Sequence, residues 1–141
     1  MPDPVSVREQ ILAALTTAVS GEYGTPAPED ERDLPITIVQ ETGLDTASED
    51  QYGFTNVEIP VSVASAVIAA SNNRELMRAQ ANELLASIIS TVFADAPLGA
   101  LVDGIQYTGG GIQTELGKFV FAEAQFSVRY HTVRGDPYTI E

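Results

Sequence analysis

Two stretches of the chain place apolar side chains every three or four residues, which is the spacing of a helix with one buried face. The first covers 4–20, where Asp3 and Pro4 predict its start and Gly21 its end. The second covers 72–93 and opens with an asparagine cap followed by a glutamate. The apolar positions are Val7, Ile11, Ala14, Leu15, Ala18 and Val19 in the first stretch and Met77, Ala81, Leu84, Leu85, Ile88 and Val92 in the second. We therefore predict two amphipathic helices.

Three further stretches alternate apolar and polar residues with the period of two that is typical of a strand. They cover 34–42, 54–67 and 119–132, and 101–107 can begin a further strand between the last two. The last stretch has the longest regular alternation, with apolar residues at every even position from 120 to 130. A strand of this length suits a sheet that extends beyond the body of a small domain.

Pro60 lies in the middle of the predicted strand 54–67. Proline has no backbone N–H and cannot donate a hydrogen bond to a neighbouring strand. We therefore expect this strand to run along an edge of the sheet or to contain a bulge.

The elements follow one another as helix, strand, strand, helix, strand and strand, without an internal repeat. This order predicts an α+β fold, a two-layer sandwich in which two helices pack on one face of a mainly antiparallel or mixed β-sheet. The other face of the sheet is left more polar. A chain of 141 residues and 15.0 kDa has the size of one domain, so we expect 1–141 to form a single domain.

Acidic residues dominate the charge of the chain: 20 Asp and Glu against 7 Lys and Arg give a formal net charge of −13. Ten of the acids lie in 22–58, where Arg32 is the only base. A surface this negative repels phosphate, which argues against tight binding of nucleic acid. We expect flexible acidic loops at about 22–33 and 44–52. They form either a solvated face that keeps the protein soluble, or a docking surface or channel wall past which DNA slides.

The composition also bears on location. The chain contains no cysteine, which removes disulfides and thiolate metal sites. Its first residues carry no basic region, and no apolar run reaches the length of a membrane span. We therefore expect a protein that is made in the cytoplasm and is not inserted in a membrane.

The segment APLGALVDGIQYTGGGIQTELGK, 96–118, holds six glycines and a lysine, as a phosphate-binding loop would. A P-loop needs a glycine, four residues and then Gly-Lys-Ser/Thr at the start of a helix. Here a phenylalanine follows Lys118, and the segment leads into a predicted strand. We interpret Gly109, Gly110 and Gly111 as a flexible turn between two strands instead.

Other patterns for chemistry are incomplete. His131 is the only histidine, so one chain cannot assemble a histidine cluster for a metal. The acids of 29–33 lack the spacing of a calcium-binding EF-hand loop. The serines have no GxSxG elbow, and there is no tryptophan to stack on a sugar. We therefore expect no catalytic residue, cofactor or metal, and we interpret the chain as an assembly or binding module and not as an enzyme.

Several segments together resemble the phage tail terminator, or tail completion, family. They are VREQILAAL in the first helix, LPITIV and NVEIPVSV in the first two strands, RELMRAQANELLASI in the second helix, PLGALVDGI after it, and AEAQFSVRYHT in the last strand, followed by Pro137. The similarity covers nearly all of 4–137 and rests on the order and texture of the elements. PLGALVDGI together with FSVRYHT is its most telling part.

The resemblance implies a structural virion protein in the neck region of the tail, without catalysis. Six copies would close into a ring on the head-proximal end of the tail tube, stop its polymerisation and present the opposite face to the head connector. The implied partners are further copies of the chain in a homohexamer, the tail tube protein and the head–tail connector proteins. DNA would only pass through the lumen, which a ring of about −78 formal charges would keep non-adhesive.

We expect charged residues of the acidic loops and of the last strand to lie at a subunit, tube or connector interface. These residues are Glu29, Asp30, Asp33, Asp45, Glu49, Asp50, Arg129, His131 and Arg134. Two alternatives stay open. One is another neck, head–tail joining or tail-tube component, and the other is a monomeric acidic binding domain or small enzyme.

Overall fold

The computed structural model describes residues 5–23, 35–94, 96–114 and 119–140. Three helices and six strands make up this part of the chain. The helices are α1 (Val7–Ala18), α2 (Arg74–Ala94) and α3 (Ala96–Leu101), and the strands are β1 (Glu22–Tyr23), β2 (Ile36–Glu41), β3 (Thr46–Glu49), β4 (Phe54–Ile68), β5 (Gly104–Gln113) and β6 (Phe119–Val133).

All six strands belong to one mixed sheet, in the order β1-β2-β4-β6-β5. β1 runs parallel to β2, and every other pairing is antiparallel. β3 lies off this path, because it pairs with the first part of β4, beyond the end of β2. β4 and β6 are the central strands and pair along their whole length, from Phe54 opposite Val133 to Ile68 opposite Phe119.

α1 and α2 pack on one face of the sheet, and the main core lies between them and β2, β4 and β6. Its buried side chains are Val7, Ile11, Leu12, Leu15, Val39, Ile59, Val61, Val63, Ile88, Val92, Ala122, Ala124, Phe126, Val128 and Tyr130. A smaller cluster of Met77, Ala81 and Val120 extends the core along α2. The predicted α+β sandwich is confirmed.

The alternation predicted for the last strand is also confirmed. In β6 the even positions from Val120 to Thr132 are buried, and the odd positions are partly or fully exposed. Because successive side chains of a strand point to opposite faces, the even positions face the helices. Arg129 and His131 therefore lie on the other face of the sheet, which the described helices leave uncovered.

Pro60 lies in a central strand, so the expectation of an edge strand or a bulge is wrong. The register with β6 is continuous through Pro60, which is opposite Ser127. On the other side of β4, β2 ends opposite Val61 and β3 begins opposite Glu58. The backbone of Pro60 faces the gap between these strands, where its carbonyl accepts a hydrogen bond from the Thr42 N–H at 3.0 Å. The missing N–H thus falls where no strand needs it.

Both predicted acidic loops contain short strands. In 44–52, the residues Thr46–Glu49 form β3 and pair with β4. In 22–33, the residues Glu22–Tyr23 form β1, while 24–34 lies outside the described residues. All side chains of β1 and β3 are exposed, so these strands are held by backbone pairing and leave no hydrophobic alternation in the sequence. The flexibility of the two segments stays a prediction.

α3 is a third helix, which the sequence pattern did not predict. It is six residues long, too short to show a helical period. It lies beside α1, and Leu101 at its end packs against the main core. β5 then begins at Gly104, within the stretch 101–107 that was predicted to begin a strand, and runs to Gln113.

The predicted glycine turn is wrong, because Gly109, Gly110 and Gly111 lie inside β5. None of the three has a positive φ. A bulge between Tyr107 and Gly109 shifts the register of β5 against β6. A glycine is needed at 110 because there is no room for a side chain. A Cβ on Gly110 would lie 2.5 Å from Oη of Tyr107 and 2.7 Å from the carbonyl oxygen of Glu123.

α1 begins and ends differently from the prediction. Its cap is Ser6, whose Oγ accepts a hydrogen bond from the first turn. At its other end the Gly21 N–H donates to the Thr16 carbonyl at 2.9 Å, and the Ser20 N–H donates to the Thr17 carbonyl at 3.1 Å. This is the Schellman arrangement, and the residue with positive φ, 52°, is Ser20.

We expect Gly110→Ala to destabilise the protein by about 1 to 3 kcal/mol, because the added methyl group has no room beside Tyr107 and the Glu123 carbonyl. Gly111→Ala is the matched control. Beyond its chain neighbours nothing lies within 4 Å of a Cβ at this position, so the change should be close to neutral. Urea unfolding of both variants measures the difference, and equal effects would contradict the packing of β5.

Candidate interaction surface

Six of the nine predicted interface residues come together at one end of the sheet. There the short strand β3, the start of β4 and the end of β6 lie side by side. The six residues are Asp45, Glu49, Asp50, Arg129, His131 and Arg134, and we call the part of the sheet that carries them the charged end. Glu29, Asp30 and Asp33 lie outside the described residues.

Arg134 joins the end of β6 to the turn between β3 and β4. Its Nε lies 3.4 Å from Oε2 of Glu49, and its Nη2 donates a hydrogen bond to the carbonyl of Asp50. The backbone N–H of Arg134 also donates to the Gly53 carbonyl at 2.9 Å. Because the Arg134 and Glu49 side chains are exposed, their ion pair stabilises the fold only weakly. The main effect of these Arg134 contacts is to fix the position of the turn between β3 and β4.

Asp50 closes this turn with its carboxylate. Oδ1 accepts hydrogen bonds from the backbone N–H groups of Tyr52 at 2.8 Å and Phe54 at 3.1 Å, and Oδ2 accepts one from Nδ2 of Asn56 at 3.0 Å. These donors favour the charged form. The Asn56 amide, followed by the Phe54 N–H, lowers the pKa of Asp50 below its ordinary value. Both carboxylate oxygens are thus engaged within the chain.

Asp45 is bound to Arg8 of α1, 37 residues away. Nε and Nη2 of Arg8 lie 2.7 and 2.9 Å from the two carboxylate oxygens, and Nη2 also contacts Glu41 at the end of β2. The hydrogen bond to Asp45 is the largest cause that raises the pKa of Arg8. Partial desolvation, and then a hydrogen bond to Glu41, raise the pKa of Tyr23 in β1, whose side chain is about half exposed. Arg8 therefore fastens α1 to β2 and to the connector before β3.

His131 is held by two neighbours. Its Nδ1 lies 2.8 Å from the carboxylate of Asp103, the residue before β5. Its ring meets that of Phe54 edge-on, with centroids 5.1 Å apart and an interplanar angle of 81°. A carboxylate can orient a histidine as a catalytic base. Within the described part of the chain, the hydrogen-bond partner of this ring is the Asp103 carboxylate, and no hydroxyl is hydrogen-bonded to it.

Arg129 is, like Arg134, an exposed cation of the charged end. Its guanidinium lies over Gly104, the first residue of β5, where a Cβ would be 2.9 Å from Nη2. Arg129 is directly opposite Glu58 of β4. Nevertheless, it makes no ion pair with any residue that the structure describes. Its charge is therefore available to a partner.

An open groove of about 490 Å³ lies at the charged end. It is lined by Thr46, Ala47, Ser48, Asn56, Val57, Glu58, Asp103, Arg129 and Tyr130. Hydroxyl, amide, carboxylate and guanidinium groups dominate this wall. Sites for small molecules are usually enclosed and mostly apolar, so an open polar groove fits contact with another chain better.

No protein-family model matches the chain, and no curated protein is significantly similar to it. The resemblance to the tail terminator family therefore stays a prediction. Over the described ranges, no group of three or more His, Cys, Asp or Glu side chains could hold a metal ion. None of the described helices is both long and apolar enough to span a membrane.

The side chains that bind the predicted interface residues Asp45, Asp50 and His131 are Arg8, Asn56 and Asp103. Sequence patterns did not reveal these three partners. Asp103 gave a local signal, because an Asp-Gly pair is typical of the turn that precedes a strand. Its contact with His131 spans 28 residues and depends on the register of the sheet. Arg8 gave no signal, since it belongs to the polar side of a helix like many other arginines.

We expect Asp50 to make the folded state sensitive to acid. Because folding lowers its pKa below the ordinary value of 3.8, its contribution to stability is fully present above that value and is lost as the pH falls through the lowered pKa. The free energies of unfolding of the wild type and of Asp50→Asn should therefore differ most near neutral pH and converge in acid.

Unfolding in urea at a series of pH values from about 7 to about 2 measures this convergence. Glu83→Gln, on the exposed side of α2, makes the same kind of change elsewhere and is the control for the loss of one carboxylate. A difference between wild type and Asp50→Asn that does not change with pH would contradict the hydrogen bonds assigned to Asp50.

Proposed function

We propose that the protein is a ring subunit of the tail terminator type, a structural virion protein whose copies close into a hexamer on the head-proximal end of a phage tail tube. The observation that carries the proposal is the open sheet. Within the described residues, β3 and β5 each pair on one side only. Unpaired strand edges invite pairing with another chain, and closure into a ring removes them. The resemblance of the sequence supports the same role.

The charged end supports the proposal as a contact surface. Arg129 has no ion-pair partner among the described residues, so its guanidinium can bind a carboxylate of another chain, and the polar groove beside it is open. A second copy of a chain with a net charge of −13 presents mostly carboxylates. An arginine that faces them stabilises the contact and fixes its orientation.

Exposed apolar side chains near the same end provide a surface for the tail tube or the connector. Leu44 is 92% exposed, Tyr52 76% and Tyr138 49%. Leu44 precedes β3, Tyr52 lies in the turn after it, and Tyr138 follows β6. Large apolar and aromatic side chains that stand in water are typical of contacts with other proteins.

The acidic composition fits a ring through which DNA passes. Carboxylates that line a lumen repel the phosphate backbone, so DNA moves past them without being retained. An acidic surface also keeps free subunits apart, which prevents aggregation through the open strand edges before a ring forms.

The alternatives differ in what they do with the open edges. A tail-tube component would use them to form long polymers, whereas a terminator forms one closed ring at the end of a tube. A monomeric binding domain or small enzyme would leave the outer edges of β3 and β5 in water.

Mass determination in solution, with and without cognate tail tubes, tests the proposal. A hexamer, either alone or formed on tube ends as a six-fold ring in electron micrographs, supports it. A monomer that does not respond to tubes contradicts it. Open-ended polymers would favour a tail-tube component instead.

We expect Arg129→Glu to raise the concentration for half-maximal ring assembly by at least about tenfold, because it replaces a cation of the proposed contact by a charge that repels acidic copies. Arg78→Glu, at an exposed position of α2, makes the same change of charge away from the charged end and should have a smaller effect. Thermal unfolding checks that both variants fold. Equal loss of assembly in both would mean that net charge, and not the position of Arg129, governs assembly.

A further inference from the structure

We infer that copies of the chain join by strand pairing, in which the outer edge of β5 at residues 104–107 pairs with the outer edge of β3 in the next copy. This inference rests on the proposed ring and names the contact that closes it. Four observations lead to it: the lack of charge in β5, the bulge that divides it, the limited choice of other edges, and the position of Arg129.

β5 is the one described strand without a charged residue. Its sequence, GIQYTGGGIQ, contains no acid, base or proline, whereas each of the other five described strands carries at least one glutamate. Exposed edges are commonly protected by charges or prolines. Their absence is notable in a chain with a net charge of −13. Another strand can therefore approach this edge without charge repulsion.

The bulge divides β5 into two short segments. Thr108 is skipped in the register with β6, so 104–107 and 109–113 pair as separate runs. A partner strand that follows one run therefore needs only about four residues. β3, Thr46–Glu49, has this length.

The other open edges of the sheet narrow the choice of partner. A ring needs two different edges to meet, because an edge that pairs with itself gives a closed dimer. Besides β5, the outermost strands of the described sheet are β1 with two residues and β3 with four. β3 is the longer of the two, and all its side chains are exposed. It contains Glu49 and is followed by Asp50, so two copies of β3 would repel each other, whereas β5 would not repel β3.

Charge complementarity selects the run 104–107. The guanidinium of Arg129 lies over Gly104, at the start of this run, and has no ion-pair partner among the described residues. When the helices of both copies lie on the same face of the joined sheet, Thr46 and Ser48 of the docking β3 share the face of Arg129. The exposed Glu58, which is directly opposite Thr46 in β4, is the carboxylate that the docking copy brings to this face. The pairing thus combines backbone hydrogen bonds with a charge-assisted contact.

Cysteine cross-linking tests the contact without background, because the chain contains no cysteine. Gln106→Cys in β5 is combined with Ser48→Cys in β3, and with Thr46→Cys in a second variant, so that two registers are covered. All three positions are exposed and share the face opposite the helices. Within one copy, β4 and β6 separate β3 from β5 by about 14 Å, which is beyond the reach of a disulfide.

After mild oxidation, one of the double variants should give a ladder of covalent oligomers up to the hexamer on a non-reducing denaturing gel, and reduction should return it to the monomer. Ser48→Cys combined with Ser87→Cys, at an exposed position of α2, is the matched control and should stay monomeric on the gel. Each single-cysteine variant should also stay monomeric.

The outcomes separate this inference from the proposed function. Hexamers in solution without a β5–β3 cross-link in either register would overturn the inference and leave the ring intact. A covalent dimer of Gln106→Cys alone would show that β5 pairs with itself, which overturns β3 as the partner. A monomer both in solution and on tail tubes would overturn the ring and the inference together.

Discussion

The structure depends on the pairing of β4 with β6, in which every residue of one 15-residue strand is opposite a residue of the other. One face of this pair supplies apolar side chains such as Val61 and Phe126 to the core beneath the helices. The other face of the same two strands carries polar and charged side chains such as Glu58 and Arg129, together with apolar ones such as Ala66 and Phe121. The remaining strands add to this pair at its edges: β2 and β3 share the outer side of β4, and β5 follows the outer side of β6. β2 and β3 pair with different halves of the same edge of β4, and the division between them lies at Pro60. The half that pairs with β3 belongs to the charged end.

Most of the charged side chains at this end are engaged within the chain. Arg8 binds Asp45, Arg134 contacts Glu49, and Asp103 holds His131. These contacts join elements that are distant in sequence and fix the backbone of β3 and its turn. A contact surface that is ordered before binding loses less conformational entropy when a partner arrives. In the proposed ring, the internal pairs therefore shape the surface, while Arg129 and the strand edges make the contacts with the next copy.

The sequence predicted the long elements and the fold class. In α2 and β6 one face is buried over many residues, so apolar side chains recur with a clear helical or strand period. The sequence did not predict β3 or α3, since a four-residue strand with exposed side chains and a six-residue helix show no period. The turn predicted at the glycines of β5 is wrong because glycine is common both in turns and where a strand is crowded. Only the close approach of Tyr107 to Gly110 distinguishes the two cases. Asp45 was singled out for its charge, but its role depends on Arg8, and a contact across 37 residues exists only once the strands are in register.

The acidic composition opposes assembly and the uncharged edge of β5 favours it. The two effects act over different distances. Repulsion between two copies with net charges of −13 acts over roughly one Debye length, about 8 Å at physiological ionic strength. Backbone pairing acts only when the strands touch. In the proposed ring, free copies that meet by diffusion must therefore cross the repulsion before the edges can pair, so we expect isolated rings to form slowly. A tube end that binds the exposed apolar side chains holds several copies side by side, so the repulsion is offset by contacts with the tube and the edges are already adjacent. Under the proposed function, ring closure is therefore coupled to the presence of a finished tube.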